Sequence, residues 1–192
     1  MIEAIEGILV KKENLKAYIN VGGIIFEVIV PFSTFNRLPA LNENCMLFVE
    51  LVIGEKSLKL YGFLTKEEKA LFNELRKISK IGSQTAISIL SSISIEQFYK
   101  AVEEQNKEIL MRIPGVGKKT ALSIIVELSS KLPQLNKQNT PQIAQEATEA
   151  LKSLGFSEKE ASHIVMQVYE KKPSITIEEL LKESLKYFKN GN

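Results

Sequence analysis

Aspartate is missing from this chain: all 23 acidic side chains are glutamates, and they form no convincing metal-binding set. Nucleases commonly gather carboxylates around divalent cations, and a glycosylase would show a catalytic Lys/Asp beside its DNA-binding hairpin, so neither kind of enzyme is expected. The one histidine, His163, has no companion for a metal or catalytic role and reads as a packed or surface residue. The one cysteine, Cys45, lies inside the apolar run CMLFVELVI; it builds no disulfide framework and reads as a buried strand residue. No apolar run approaches the roughly 20 residues of a membrane span. The opening MIEAIEGILV lacks the basic-then-apolar order of a secretory signal, so a cytoplasmic location is expected. Arginine is scarce as well, with three (Arg37, Arg76, Arg112) against 22 lysines. Arginine is the usual bidentate reader of guanine and the usual minor-groove insert. Any nucleic acid bound here would therefore be held by its phosphates and not read by its bases.

What is present divides into three segments. The 192 residues are 44% hydrophobic and 25% charged, with a net charge of +2, an ordinary composition for one to three small domains. Residues 1–63 carry short runs rich in Ile, Val, Phe and Tyr: GILV, LKAYINV, IIFEVIV, CMLFVELVI and SLKLYGF. Several alternate in period two, and Asn20-Val21-Gly22-Gly23 supplies a turn between two of them. Five or so short strands in so few residues fit a small barrel, whose closure removes exposed sheet edges. From Thr65 onward the pattern is helical. Thr65/Glu68, Ser94/Gln97, Ser157/Glu160 and Thr176/Glu179 each have the order of a capping box before an apolar run. The polar, proline-containing PQLNKQNTPQI reads as a linker, placed at 134–143 between a middle helical domain (64–133) and a C-terminal one (144–192). Lys+Arg against Asp+Glu is 6 to 7 in residues 1–63, 11 to 8 in 64–133 and 8 to 8 beyond, so only the middle segment is basic.

That middle segment repeats itself. At an offset of 35 residues, ISKIGSQTAISILSSI (Ile78–Ile93) lies over IPGVGKKTALSIIVEL (Ile113–Leu128) with six identities in sixteen positions. The matches are Ile78/Ile113, Gly82/Gly117, Thr85/Thr120, Ala86/Ala121, Ser88/Ser123 and Ile89/Ile124. Each copy reads as helix, glycine turn, helix, and two such units can bury their apolar sides against each other. IPGVGKKTA is not a nucleotide-binding P-loop: Lys118 is followed by Lys119 and not Ser or Thr, Arg112 stands where the first glycine should be, and helix, not strand, precedes it.

Glycine lets the backbone approach a ligand, and the helix that follows begins with unpaired N–H groups and partial positive charge. Lysines just beyond the turn suit phosphate. This resembles the helix-hairpin-helix motif, whose amides grip a DNA backbone phosphate. The residues in question are Lys80, Ile81, Gly82, Ser83 and Gln84 in the first copy. In the second they are Gly115, Val116, Gly117, Lys118, Lys119 and Thr120. The match is fuller in the second copy, because Lys80 stands where a glycine is expected and enters a left-handed turn less readily. The alternative is a pair of αα-hairpin turns that use glycine only to reverse the chain. Against it, a turn of that kind has no use for Lys118 and Lys119 at a helix N-terminus, where they oppose the dipole.

The whole chain then resembles the RuvA family, the Holliday-junction-binding subunits of the bacterial branch-migration machine. VGGIIFEVIVP, the LYGF at Leu60–Phe63, both hairpins and LKSLGFSEKEAS carry the resemblance in order and spacing. It implies a multidomain α+β protein: an OB-fold barrel, a tandem helix-hairpin-helix domain, and a small three-helix UBA-like bundle. It also implies a homotetramer matched to four DNA arms, with one tetramer or two (an octamer) closing on the junction. No cofactor is implied. The expected partners are four-way junction DNA, the RuvB ATPase that supplies the motor, and the RuvC junction resolvase. The family's acidic pin falls on the turn IGEKS, where Glu55 matches and Lys56 replaces a second acid. The family's apolar ATPase contacts fall on Leu151, Leu154, Phe156 and Leu185, although in so small a domain these must also build the core. Two other readings remain at this point, an enzyme carrying helix-hairpin-helix units and a protein-interaction module with incidental positive charge.

Overall fold

Alternation in the first sixty residues becomes a barrel with one dry side. The computed structural model describes residues 2–54, 57–129, 131, 142–172 and 175–190. Five strands, β1 (Ala4–Glu13), β2 (Lys16–Val21), β3 (Ile24–Ile29), β4 (Asn44–Gly54) and β5 (Ser57–Phe63), close in the order β1-β2-β3-β5-β4. All pairings are antiparallel except β3 with β5, where Val28 and Ile29 face Leu60 and Tyr61. Inward positions hold Leu9, Ala17, Ile19, Val28, Leu47 and Val49, all fully buried, and Cys45 joins them. Burial pushes the Cys45 thiol up, which suits an unreactive core residue. Gly22 and Gly23 take φ of +59° and +94° to turn β2 into β3, and the Gly23 N–H donates to the Asn20 side-chain oxygen at 2.9 Å.

A short helix, α1 (Phe32–Asn36), follows β3. Then come α2 (Lys66–Lys77), α3 (Ser83–Ser92), α4 (Ile95–Glu103), α5 (Lys107–Met111) and α6 (Lys118–Ser129). The cap signals in the sequence are all used. Thr65 and Glu68 form a complete capping box on α2, and the hydroxyl of Ser94 accepts from the Gln97 N–H at 3.2 Å. Helix α5, which the sequence pattern does not mark with a box, is capped by Asn106.

The barrel and these helices are not separate bodies. The Phe72 ring of α2 is fully buried, with the rings of Tyr61 and Phe63 each 5.0 Å away. An aromatic so placed contributes about 2–3 kcal/mol by burial, and truncating it to alanine costs about 3–5 kcal/mol. The carboxylate of Glu68 accepts from Leu64 N–H at 2.9 Å and Thr34 hydroxyl at 3.4 Å, so one cap residue also fastens α1. Lys69 pairs with Glu3 at 2.7 Å. The chain divides into two compact units, Met1–Leu132 and Pro133–Asn192, so the barrel and helices α1 to α6 share one unit.

The second unit contains α7 (Gln142–Ser153), α8 (Glu158–Lys171) and α9 (Ile177–Asn190) around Ala144, Ala147, Leu151, Ala161, Val165, Val168, Ile175 and Leu180. Ser157 caps α8, and Thr176 accepts from Glu179 N–H at 3.4 Å. The expected linker, 134–143, meets the start of α7 at Gln142; its residues 134–141 lie outside the described residues.

Candidate nucleic-acid interface

The two repeat copies fold into matching hairpins. In the first, the Ile78 N–H donates to Leu75 O at 3.1 Å and the Ile81 N–H to Ile78 O at 3.1 Å. In the second, Ile113 N–H donates to Leu110 O at 3.2 Å and Val116 N–H to Ile113 O at 3.0 Å. Ile78, Ile81, Ile113 and Val116 are buried and pin each turn to the core. The left-handed position is Lys80 in one hairpin (φ +70°) and Gly115 in the other (φ +86°). Lysine thus adopts the same conformation as glycine, at a cost of about 1–2 kcal/mol that the buried Ile78 and Ile81 of its own turn sustain.

Ile81 and Val116 spend their amides within the turns and bury their side chains in the core. The open amides begin two residues further on. The first helical bonds run from Ala86 N–H to Gly82 O (3.0 Å) and from Ala121 N–H to Gly117 O (2.9 Å). Ahead of them, the amides of Ser83, Gln84 and Thr85, and of Lys118, Lys119 and Thr120, are those a helix leaves without a carbonyl of its own. Elsewhere the chain closes such ends with Thr65, Ser94, Asn106 and Ser157. Helix α3 has Gly82 at that place, with no side-chain cap, and Gly117 has no side chain to offer α6.

Neither Gly82 nor Gly117 is required by backbone conformation, since neither has a left-handed φ. Packing does not require them either, because a methyl group at either position would meet nothing within 4 Å. What glycine provides there is an unobstructed approach to two helix N-termini. Lys80, Lys118 and Lys119 are exposed, and among the described residues none of their ammoniums is in an ion pair. The surface is therefore open backbone donors flanked by unneutralised cations, a combination that attracts anions of the size of phosphate.

One contact between the hairpins was not assigned from sequence. The Ser88 hydroxyl of α3 donates to the Pro114 carbonyl at 2.9 Å. The identity Ser88/Ser123 was visible in the repeat, but its partner lies 26 residues away and needed the fold to be found.

The remaining expected positions fall elsewhere. β4 and β5 pair up to Gly54 and Ser57, and the expected pin residues between them, Glu55 and Lys56, lie outside the described residues. In the second unit, Gly155 ends α7 in a left-handed turn (φ +95°), with Phe156 N–H donating to Leu151 O at 3.2 Å and Gly155 N–H to Lys152 O at 2.9 Å. Leu151 is fully buried, Phe156 and Leu185 pack partly buried against the core, and Leu154 is 64% exposed. Of the four, Leu151 serves the core and Leu154 faces outward. His163 is exposed beside Gln167, and no group of His, Cys or Glu suited to a metal occurs among the described residues. No helix among them is long and apolar enough to cross a membrane.

A closed barrel, a tandem of hairpins and a three-helix bundle, in that order, define an OB-fold, helix-hairpin-helix protein with an appended helical domain. The chain matches the RuvA N terminal domain over residues 1–62, the SAM-like helix-hairpin-helix tandem over 72–130 and the RuvA C-terminal domain over 142–188. It is 36% identical to the Holliday junction branch migration complex subunit RuvA of Haemophilus influenzae (strain 86-028NP), over 97% of this chain and 98% of that protein. The same coverage holds for the RuvA subunits of Mannheimia succiniciproducens, at 34% identity, and Shewanella frigidimarina, at 36%. The chain belongs to the RuvA family.

Proposed function

We propose that this chain binds four-way DNA junctions without reading their sequence, holds them open as a homotetramer, and recruits the RuvB ATPase for branch migration in recombination and repair. The observation that carries the reading is the pair of uncapped helix N-termini at Gly82 and Gly117, where glycine serves neither backbone conformation nor packing. Backbone amides of Ser83, Gln84, Lys118, Lys119 and Thr120 would hold phosphates, and Lys80, Lys118 and Lys119 would neutralise them. Gly115 shapes the second turn, while Ile81 and Val116 anchor the turns from inside.

Junction selectivity is supported by the named relatives, which are subunits of a Holliday junction branch migration complex. Assembly is supported by apolar surface on the barrel: Ile24, Ile53 and Leu58 are each more than half exposed, more than an isolated barrel needs. In a ring, four Glu55 carboxylates with four Lys56 ammoniums would form the pin at the junction centre. The chain itself is a non-catalytic, cytoplasmic scaffold in this reading; RuvB hydrolyses ATP and docks on the outward Leu154 side of the C-terminal unit, and the RuvC resolvase acts on the same junction.

The test is competitive binding of an immobile four-way junction against linear duplex of the same sequences, at two salt concentrations. A strong junction preference that weakens with salt is expected. Equal affinity for the two would reduce the hairpins to general DNA clamps and remove the junction assignment.

A further inference from the structure

We infer that Ser88 and Thr85 of α3 are positioning residues that hold the second hairpin at a fixed offset from the first, so that the two grip a duplex as one two-pronged unit. This rests on the phosphate-binding reading of the hairpins. The Ser88 hydroxyl donates to the carbonyl of Pro114, the residue before the left-handed Gly115. Thr85 lies three residues earlier on the same helix face. Its Oγ1 and Cγ2 stand 3.7 Å and 3.8 Å from where a Cβ of Gly115 would sit, so it fills the floor beneath that turn.

The helix that clasps the second hairpin is also the one whose first turn, from Gly82, forms the first site. Both prongs are therefore referred to one rigid rod. The far end of that rod is fixed as well: Phe32 N–H donates to Ser91 Oγ at 3.0 Å, and Ser33 Oγ donates to Leu90 O at 3.4 Å. Among the described residues, the α6 counterparts Thr120 and Ser123 make no such bond back to the first hairpin, so the clasp runs from α3 alone. Two weak phosphate sites reinforce each other only when their separation matches the ligand, and fixing that separation in advance spares the ordering cost at binding.

The experiment uses the full chain and an immobile four-way junction made from synthetic oligonucleotides. Ser88→Ala should weaken binding about three- to tenfold, the equivalent of one lost hydrogen bond. Its salt slope should match wild type, because no phosphate contact is removed. Ser88→Thr keeps the hydroxyl and should restore binding. In a chain already carrying Gly117→Ala, whose added methyl obstructs the second site without a clash, Ser88→Ala should have no further effect. Unchanged affinity in Ser88→Ala overturns the inference. So does an equal loss in both backgrounds, which would mark a general loss of fold, or a flattened salt slope, which would make Ser88 itself a phosphate contact. Failure of the underlying reading is visible separately, as wild-type chain without salt-dependent binding, and it overturns both.

Discussion

Lys80 and Gly115 hold the same left-handed turn position, at φ +70° and +86°, in two hairpins that otherwise share their hydrogen-bond pattern. A β-carbon in that region costs about 1–2 kcal/mol, while glycine returns about half of that through its larger unfolded-state freedom. Lys80→Gly should therefore stabilise the first unit by about 0.5 kcal/mol. Gly115→Ala should destabilise it by about 1 kcal/mol, through backbone strain alone, since the new methyl would make only ordinary contact with Thr85. Denaturant midpoints at constant m-value would measure both. A loss of stability in Lys80→Gly would show that the lysine side chain supports the turn in some other way.

The second hairpin carries two exposed ammoniums beside open amides, and these can be separated from the amides by mutation. Replacing Lys118 and Lys119 together with alanine should weaken binding to junctions of every sequence and flatten the salt slope by about two units, one for each phosphate neutralised. Both positions are exposed at the start of α6, so the fold should be unaffected. Binding isotherms over a salt series give the slope directly. A slope equal to wild type would place the phosphates elsewhere.

Much of this arrangement is legible in the residues. The cap signals at Thr65, Ser94, Ser157 and Thr176 mark helix starts because a hydroxyl acceptor is a local device that needs no tertiary context. The same holds for the Gly22-Gly23 turn and for the 35-residue repeat. What escaped is what long-range packing decides. Helix α1 is only five residues long, too short for a period to show. Glu68 reads as half of a capping box, and its burial, with the carboxylate also meeting Thr34 of α1, depends on the fold. The contact between barrel and hairpins also escaped: Phe72, on one side of the boundary, packs against Tyr61 and Phe63 on the other, so the two segments share one compact unit. Lys80 runs against local preference, and only the buried Ile78 and Ile81 on either side explain why the turn persists.

Glu74 joins α2 to the chain beyond α6, bonded to Lys77 and, at 3.2 Å, to Lys131. Burial pushes its carboxyl up, but the hydrogen bonds and charges of the two lysines outweigh this and bring it below its ordinary value of 4.5. A carboxylate whose folded pKa is lowered contributes stability above its unfolded pKa and loses it as pH falls through the folded value. Glu74→Gln should thus cost less than about 1 kcal/mol at neutral pH, both lysines being substantially exposed. The gap between variant and wild type should then close as pH falls below the carboxylate range. Urea melts across that range would show it, and a gap that widened in acid would mean the wild-type carboxyl is stabilised in its protonated form.

Leu151, in the last turn of α7, and Leu154, just past its end, are three residues apart, and they separate the two duties that an apolar residue in so small a bundle can have. Leu151 is fully buried and its carbonyl accepts the Phe156 N–H that closes the helix. Leu151→Ala should cost about 2–5 kcal/mol in the second unit, seen as faster hydrogen exchange throughout α7, α8 and α9 of the full chain. Leu154 is 64% exposed, so Leu154→Ala should change stability by less than about 0.5 kcal/mol. If this corner receives the RuvB ATPase, the same substitution should weaken that complex by about tenfold or more, as removal of an apolar anchor does at the centre of an interface. Titration of RuvB against each full-length variant, alongside the exchange measurement, distinguishes the cases. A Leu154→Ala chain that is folded and binds RuvB as tightly as wild type would move the docking surface to another face of the bundle. Weakened binding with unchanged exchange would assign Leu154 to the partner, whereas Leu151 reaches it only through the stability of the helix that ends beside Leu154.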